Sequence, residues 1–162
     1  MAGIPLYQTA IRPEWIDYNG HLRDAYYALI VSQASDALMD RIGLDAAYRT
    51  RTGCTLYTVE MHIHYLHEVK ETDTVTVALR LTGADRKRIH AAFELARAGQ
   101  QGLVATAEAM MLHVRQQEDE VKPVPFPAEV SAALAQLQAA SAGLPAAGPG
   151  SRRMELPQPR HA

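Results

Sequence analysis

Residues 17–27 read DYNGHLRDAYY and carry the local signals that decide the fold of this chain. Gly20 permits the positive φ that a tight turn requires and that other residues adopt only at a cost. An apolar helical pattern begins directly after this turn, so the unpaired N–H groups of the first helical turn face the segment before it. That segment contains a carboxylate, Asp17. Acyl transfer uses such a pairing, because a carboxylate can attack or activate water while backbone donors hold an oxyanion.

The long apolar pattern after the turn predicts one helix over residues 25–42. Its buried stripe has members three or four positions apart, namely Tyr27, Val31, Ala34, Leu38 and Ile42. Asp24 is the predicted N-cap, and Gly43 has the position of a C′ glycine. Further apolar residues widen the stripe, so we expect the helix to be covered on most sides. A second, short helix is predicted over residues 44–51.

Five segments are predicted to be strands. The first covers residues 6–12 and ends at Pro13. The other four follow the two helices, at residues 55–65, 74–81, 89–96 and 103–114. In the first three of these four, apolar residues occupy the odd positions, which predicts one face on the core and one in solvent. Short turns between them indicate an antiparallel meander, and with the long helix the class is α+β.

The length of 162 residues indicates one main domain, which we place at residues 1–126. A C-terminal helix is predicted over residues 127–140. Residues 141–162 are rich in Ala, Gly, Pro, Ser and Arg, and we expect them to form a disordered tail.

The composition limits the possible partners and compartments. A net charge of −2 argues against a nucleic-acid binder, which would carry a basic excess. The single cysteine, Cys54, cannot form an internal disulfide, has no His or Asp partner at a recognisable spacing, and favours a reducing compartment. The N-terminal residues do not resemble a signal peptide, and no apolar run approaches the ~20 residues of a membrane span. We therefore expect a cytoplasmic protein without membrane contact.

The turn and the helix entrance resemble the hotdog-fold thioesterases of the 4-hydroxybenzoyl-CoA thioesterase superfamily. Many members read Asp-x-x-Gly-His-x-Asn-Asn-x-x-Tyr there, and four positions match in register, namely Asp17, Gly20, His21 and Tyr27. Arg23 and Asp24 replace the two asparagines. The likeness extends to about residue 115. It implies an antiparallel sheet wrapped around one long central helix, a homodimer or dimer of dimers, and no cofactor apart from the coenzyme A of the substrate.

The resemblance also implies roles for the residues of the motif. Asp17 would be the nucleophile or the general base, and the N–H of Asp24 would hold the oxyanion. The carboxylate of Asp24 would repel that oxyanion unless it points away, and a plain N-cap is the alternative role for this residue. His21, Asn19 and Gly20 would shape the loop or contact the substrate, although hydrogen bonds within the turn explain the first two equally well.

Three aromatic residues near the motif, Trp15, Tyr18 and Tyr26, suit a quaternary ammonium group through cation–π attraction. The sequences of residues 21–27, HLRDAYY, and of residues 65–68, YLHE, are similar to the corresponding sequences in the thioesterases of carnitine breakdown. Those enzymes hydrolyse betainyl-CoA, the CoA thioester of trimethylglycine. This substrate is the leading expectation, with Asp24 as the counter-charge for the cation.

A tight basic cluster follows Asp85 in a predicted turn and consists of Arg86, Lys87 and Arg88. The phosphates of coenzyme A would bind such a cluster, whereas a charged hairpin turn is often simply solvated.

Several histidines raise the question of a metal site, since three imidazoles can hold zinc. His62 and His64 share one face of a predicted strand, with His90 on a neighbour and His67 in the following turn. The same face indicates an ordinary solvated or inter-subunit surface, because it also carries Thr58, Glu60, Thr76, Arg80 and Glu94. No metal is expected.

These observations favour a thioesterase that hydrolyses a small acyl-CoA. A non-catalytic hotdog module that binds acyl-CoA is the alternative. A hotdog hydratase is a third possibility, but its paired histidine and carboxylate motif is not visible in the sequence.

Overall fold

The computed structural model describes residues 1–145, and these form one antiparallel sheet and three α-helices. The strands are β1 (Ile4–Ala10), β2 (Cys54–Tyr65), β3 (Thr74–Ala84), β4 (Arg88–Arg97), β5 (Ala105–Gln117) and β6 (Glu120–Pro123). The helices are α1 (Asp24–Arg41), α2 (Ala46–Thr52) and α3 (Ala128–Ser141), with a 3-10 turn at Pro13–Trp15. The predicted α+β class is confirmed. The short exposed strand β6 was not predicted, because it has no apolar alternation to indicate it.

The strands are ordered β1-β3-β4-β5-β2, and β6 pairs with β5. The predicted meander is right for β3, β4 and β5, which follow one another as antiparallel neighbours. It is wrong for β2, which pairs with β5 at one end of this order. The two helices between β1 and β2 separate these strands along the chain, so β2 is free to join the far side of the sheet.

Helix α1 packs against the sheet through a stripe with no exposed surface: Ile30, Val31, Ala34 and Leu38. The strand residues in the same core combine large side chains, such as Phe93 and Leu95, with alanines, such as Ala91 and Ala107. Because interiors are close-packed, side chains of both sizes are needed to fill the space around the bulky stripe of the helix. Burial of each large aliphatic side chain contributes about 1.5–3 kcal/mol, so this contact is a principal source of stability.

Strand β2 does not follow the predicted alternation over its whole length. A β-bulge between Thr58 and Glu60 leaves Val59 without a partner and shifts the register. An extra residue reverses which positions face the core. Met61 and Ile63, after the bulge, pack on the core as predicted, whereas Tyr57, before it, is exposed.

Part of the second face of β3 and β4 is buried within the chain, which corrects the prediction that Arg80 and Glu94 belong to a solvated or inter-subunit surface. Their side chains are only 11% and 3% exposed, with Arg80 Nη2 3.8 Å from Glu94 Oε1. Glu94 Oε2 accepts hydrogen bonds from the N–H groups of Ala2 (2.7 Å) and Gly3 (3.2 Å). This ion pair therefore ties the start of the chain to the sheet.

The end of α3 is tied to the same ion pair. Arg80 donates to the carbonyls of Leu144 (2.7 Å) and Pro145, and the N–H of Leu81 donates to Ser141 Oγ (3.0 Å). Residues 141–145 are thus held against the sheet, which corrects the predicted start of the tail. The rest of that prediction, residues 146–162, lies outside the described residues. Within residues 1–145, no helix is long and apolar enough to cross a membrane.

Substituting Arg80 tests the importance of this buried pair. Arg80→Met leaves Glu94 charged and without its cation, and we expect a loss of about 3 kcal/mol in the free energy of unfolding. The double substitution Arg80→Met, Glu94→Leu removes the stranded charge and should recover part of that loss. Urea denaturation measures both values. The control is Lys122→Met, which breaks the exposed Lys122–Glu120 pair and should cost less than about 1 kcal/mol. An equally small loss for Arg80→Met would contradict a structural role.

Candidate active site

Residues 17–21 form a closed turn immediately before α1. The N–H of Asp17 donates to the carbonyl of His21 (2.9 Å), and the N–H of Gly20 donates to the carbonyl of Asp17 (3.0 Å). Gly20 has a φ of +80°, which confirms the predicted conformation. A bridge between Ile16 and Leu22 closes the base of the turn. The turn is therefore held by its own backbone and fixes the direction in which the chain enters the helix.

The carboxylate of Asp17 bonds within this turn. Its Oδ1 accepts from the N–H groups of Asn19 (2.8 Å) and His21 (3.3 Å), while the one donor to Oδ2 among residues 1–145 is the Asn19 side-chain amide at 3.4 Å. Partial desolvation raises the pKa of Asp17, but these donors outweigh it, and the pKa lies below its ordinary value. The carboxylate is thus ionised at neutral pH, and Oδ2 is the oxygen with capacity for a further partner.

Helix α1 begins at Asp24, and its N-cap is Arg23. This corrects the prediction that Asp24 is the N-cap. The Oδ1 of Asp24 instead accepts from the N–H of the next residue, Ala25, at 2.8 Å. The N–H of Asp24 belongs to the first helical turn and has no intrahelical acceptor. The helix entrance therefore offers a backbone donor with a carboxylate beside it.

A cavity of about 320 Å³ opens at this entrance. It is lined by His21, Leu22, Asp24, Tyr27, Tyr65, Leu66, His67 and Glu68. The rings of Tyr27 and Tyr65 meet edge to face, with centroids 5.2 Å apart, and the Tyr65 hydroxyl donates to the carbonyl of Asp24 at 3.4 Å. Two tyrosines from α1 and β2 thus form an aromatic wall next to the first turn of the helix.

The cavity has an acidic character. Asp24 and Glu68 both line it, and Glu68 Oε2 lies 3.0 Å from His21 Nε2. Burial raises the pKa of Tyr27 to about 12, and the negative potential of Tyr65 and Glu68 contributes to the same shift. Tyr27 therefore stays protonated at neutral pH, and its hydroxyl donates to the carbonyl of His67 at 3.4 Å.

The three aromatic residues predicted to contact substrate do not line this cavity. Trp15 is buried and stacks on Tyr26, with ring centroids 5.4 Å apart, and the guanidinium of Arg12 covers the Trp15 ring. Tyr18, at the tip of the turn, is 96% exposed. Trp15 and Tyr26 stack on each other behind the helix entrance, so within one chain these three aromatic residues do not form the predicted wall of the cavity, and their contact with substrate stays a prediction.

The basic turn formed by Arg86, Lys87 and Arg88 lies at the opposite end of the sheet. This turn follows the C-terminal end of β3. The N-terminal end of β3 pairs with the end of β1, and the motif of residues 17–27 follows β1 in the chain. An 11-residue strand spans ~35 Å. The N–H of Lys87 and the guanidinium of Arg88 lower the pKa of Asp85 to about 2, so Arg88 is already paired. Within one chain, this turn and the cavity do not meet.

Tyr65 and Glu68 were not predicted as site residues. Tyr65 was read as a core residue of a strand, and Glu68 as part of a turn. The signal for them in the sequence was the resemblance of residues 65–68 to the thioesterases of carnitine breakdown. The spacing of residues along the chain does not indicate that this segment lies beside the helix entrance. A backbone hydrogen bond brings it there, from the N–H of Leu22 to the carbonyl of Val69 (2.7 Å).

Two histidines of the sheet, His62 and His90, lie next to carboxylates rather than next to each other. His62 Nε2 lies 2.7 Å from Glu60 Oε1, and His90 Nε2 lies 3.8 Å from Glu108 Oε2. Among residues 1–145, no three His, Cys, Asp or Glu side chains are grouped so that they could hold a metal ion.

The sequence of this chain matches a known protein family and proteins of that family. Residues 11–134 match the thioesterase-like superfamily. The betainyl-CoA thioesterase of Pseudomonas aeruginosa is 45% identical over 154 residues, which cover 95% of this chain and 96% of the relative.

Solved structures agree with this match. A putative thioesterase from Pseudomonas putida superposes with a TM-score of 0.84 and 43% identity, over 98% of this chain and 99% of that one. A hypothetical protein from Staphylococcus aureus, solved in complex with CoA, has a TM-score of 0.86 and 26% identity, over 97% and 98% of the two chains. The predicted hotdog fold is thereby confirmed.

Proposed function

This chain belongs to the thioesterase-like superfamily, and on that basis we propose that it hydrolyses betainyl-CoA to trimethylglycine and coenzyme A. The predicted enzyme class, an acyl-CoA thioesterase, agrees with the family and with the 45% identical relative. The observation that carries the choice of substrate is the acidic, tyrosine-lined cavity at the start of α1.

The cavity suits a small cationic acyl group. In betainyl-CoA, one methylene separates the trimethylammonium from the thioester carbonyl. A carbonyl held at the N–H of Asp24 would bring the cation close to the carboxylates of Asp24 and Glu68 and to the rings of Tyr27 and Tyr65. A trimethylammonium group has no N–H to donate, so ring faces and unpaired negative charge are what can recognise it. The extra carboxylate of Asp24 then acts as a counter-charge.

The proposed hydrolysis uses the positive end of α1 and a carboxylate. The N–H of Asp24 stabilises the negative charge that develops on the carbonyl oxygen. In one route, Asp17 removes a proton from water, whose oxygen attacks the carbonyl carbon. In the other, Asp17 attacks first, and water hydrolyses the resulting anhydride. Either way the C–S bond breaks, and coenzyme A leaves as a thiolate that takes up a proton.

The position of Asp17 points to the participation of a second chain. Its carboxylate does not line the cavity of its own chain, although His21 of the same turn does. Strand β2 ends the order of the main sheet, and its exposed residues Tyr57, Val59 and Tyr65 lie along it. We propose a homodimer, or a dimer of dimers, in which this edge is covered and the acyl site lies between chains.

The substrate proposal predicts discrimination by charge. Wild-type protein should turn over betainyl-CoA with a kcat/KM about tenfold or more above that for 3,3-dimethylbutyryl-CoA, an uncharged isostere, because only the cation pairs with the carboxylates. Asp24→Asn and Glu68→Gln should each reduce this ratio. Glu71→Gln removes the same charge outside the cavity and should leave the ratio unchanged. Equal kcat/KM values for the two substrates would refute recognition of the cation and leave the thioesterase class intact.

The catalytic proposal predicts the effect of Asp17→Asn. The new side chain keeps an oxygen that can accept the turn N–H groups, so the melting temperature should change little. The value of kcat should fall about 10²-fold or more, because the base or nucleophile is lost. Asp119→Asn, in an exposed turn, is the matched control. Near-normal kcat for Asp17→Asn would remove this residue from the mechanism.

The dimer proposal predicts a mass of twice or four times that of one chain in light scattering at micromolar concentration. Val59→Lys places a charge on the exposed edge and should shift this equilibrium towards single chains, with a parallel loss of activity. A fully active wild-type monomer would contradict the proposal.

A further inference from the structure

The side chains of His21 and Glu68 form one pair at the cavity of the helix entrance. His21 Nε2 lies 3.0 Å from Glu68 Oε2, and both residues line the cavity. An ionised carboxylate can only accept hydrogen bonds, so the neutral imidazole carries its proton on Nε2 and donates it to Glu68. This contact joins the turn of residues 17–21 to the segment that follows β2.

The position of the Glu68 side chain depends on this contact. The backbone on either side of Glu68 is fixed, because the N–H of His67 donates to the carbonyl of Val104 (3.1 Å) and the carbonyl of Val69 accepts from the helix entrance. The side chain itself is 71% exposed, and the contact that holds it at the cavity is the one with His21. An exposed glutamate side chain otherwise samples several rotamers in solvent. His21 therefore positions the carboxylate beside the acyl site.

The protonation state of His21 also sets the charge of the pair. With a neutral imidazole, the pair carries the single negative charge of Glu68. With a protonated imidazole, the two charges cancel and the pair is neutral. Histidine is the side chain whose ordinary titration falls between pH 5 and 8, so this change of charge belongs to the physiological range.

The other titratable and charged groups around this pair come from the turn, α1, β2, β4 and the segment after β2: Asp17, Asp24, Tyr27, Tyr65, His67, Lys70 and Arg97. Despite partial desolvation, the hydrogen bonds within its turn hold the pKa of Asp17 below its ordinary value. Burial raises the pKa of Tyr27 to about 12. Aspartate, lysine and arginine in general keep their charges between pH 5 and 8. Within this set, His67 is thus the other group whose ordinary titration overlaps with that of His21.

The charge of the pair matters for a cationic acyl group. A trimethylammonium in the cavity faces two carboxylates, Asp24 and Glu68, while His21 is neutral. Protonation of His21 cancels one of them and leaves Asp24. An uncharged acyl group of the same shape does not sense this change. The preference for the cation over its uncharged isostere therefore reports the state of His21.

We propose that His21 is a specificity-determining residue, which holds Glu68 at the cavity and, through its own protonation, sets how strongly the site prefers a cationic acyl group. This inference deepens the proposed function and rests on it. Because His21 acts through Glu68, it is a positioning residue. The preference is strongest where the imidazole is neutral and falls as the pH decreases through its titration.

The pH dependence of substrate preference tests this role. The ratio of kcat/KM for betainyl-CoA to kcat/KM for 3,3-dimethylbutyryl-CoA is measured for the wild-type protein between about pH 5.5 and pH 8. The ratio should fall about three- to fivefold towards the lower pH, because one of two nearby charges is cancelled. Both substrates share the coenzyme A portion and the same hydrolytic groups, so the titration of these parts cancels from the ratio.

Three variants separate the positioning of Glu68 from its charge. His21→Gln keeps an N–H donor of similar reach that does not titrate, and it should hold the high ratio of the wild type at every pH. His21→Ala removes the donor, so the ratio should be low at every pH. Glu68→Gln removes the charge itself and should give a low ratio without pH dependence. A purely structural role of His21 would lower kcat/KM for both substrates equally and leave the pH profile of the ratio unchanged.

Two further histidine variants are controls. His67→Gln removes the other imidazole of the cavity, and the ratio should keep the pH dependence of the wild type. His62→Gln breaks a comparable pair outside the cavity, in which His62 Nε2 lies 2.7 Å from Glu60 Oε1, and should also keep it. The proposal is overturned by a ratio that does not depend on pH in the wild type. It is equally overturned by a pH dependence that survives in His21→Gln or disappears in His67→Gln. Should His21→Gln fail to fold, Glu68→Gln changes an exposed side chain and gives the same test.

A separate measurement distinguishes this inference from the proposed function. Release of free thiol from betainyl-CoA by the wild type reports hydrolysis, and hydrolysis with a pH-independent ratio overturns the role of His21 alone. Absence of hydrolysis overturns the proposed function. Binding of choline, which carries the same trimethylammonium, and of its uncharged isostere 3,3-dimethylbutanol then tests His21 by NMR titration. The Kd for choline should rise about three- to fivefold at the lower pH in the wild type and stay constant in His21→Gln. No binding of choline, or a Kd that is constant in the wild type, overturns the inference.

Discussion

The burial of α1 against the sheet is the contact on which the rest of the structure depends. Its stripe is completely inaccessible to solvent and lies in one continuous core with the strands of the sheet. Because interiors are close-packed, a helix held along this stripe cannot slide or rotate without creating voids. The position of its first turn is fixed as a consequence. The donor at Asp24 and the cavity beside it are therefore set by the core rather than by the loop alone.

Two backbone hydrogen bonds connect the entrance of α1 to the segments on either side of it. The N–H of Arg23 donates to the carbonyl of Trp15 (3.0 Å), and the N–H of Leu22 donates to the carbonyl of Val69. The first ties the helix entrance to the buried aromatic pair behind it. The second brings residues 65–70 alongside the entrance, although more than 40 positions separate them in the chain. These bonds hold the N–H of Asp24, the proposed oxyanion donor, in a constant position.

The cavity at the helix entrance concentrates negative charge. Asp24 and Glu68 surround the entrance of α1, where the helix dipole itself favours negative groups. That arrangement stabilises the carboxylates but opposes a second negative charge on the carbonyl oxygen. The cationic acyl group of the proposed substrate would resolve this conflict, because it would neutralise the carboxylates and leave the backbone N–H free for the oxyanion. On that proposal, the acidic entrance and the choice of acyl group are two aspects of one electrostatic balance.

The sequence alone determined those features whose causes are local. The helical spacing gave α1 to within one residue at each end, Gly20 indicated its turn, and the motif of residues 17–27 indicated the hotdog fold and the thioesterase class. Predictions that assumed a regular local pattern failed where another part of the chain intervened. The bulge at Val59 reversed the facing of the first part of β2, and the N-terminal residues and the segment after α3 contact the buried Arg80–Glu94 pair.

Only the tertiary structure decided which side chains surround the helix entrance. It brought Tyr65 and Glu68 to the cavity, left Trp15, Tyr18 and Tyr26 outside the lining within one chain, and placed the basic turn of residues 86–88 at the other end of the sheet. The physical reason is that turns and helices follow from interactions between residues near in sequence, whereas a cavity is formed by segments that meet through strand pairing and packing. Strand order and register determine which segments come into contact, and neither can be read from the spacing of residues along a single segment.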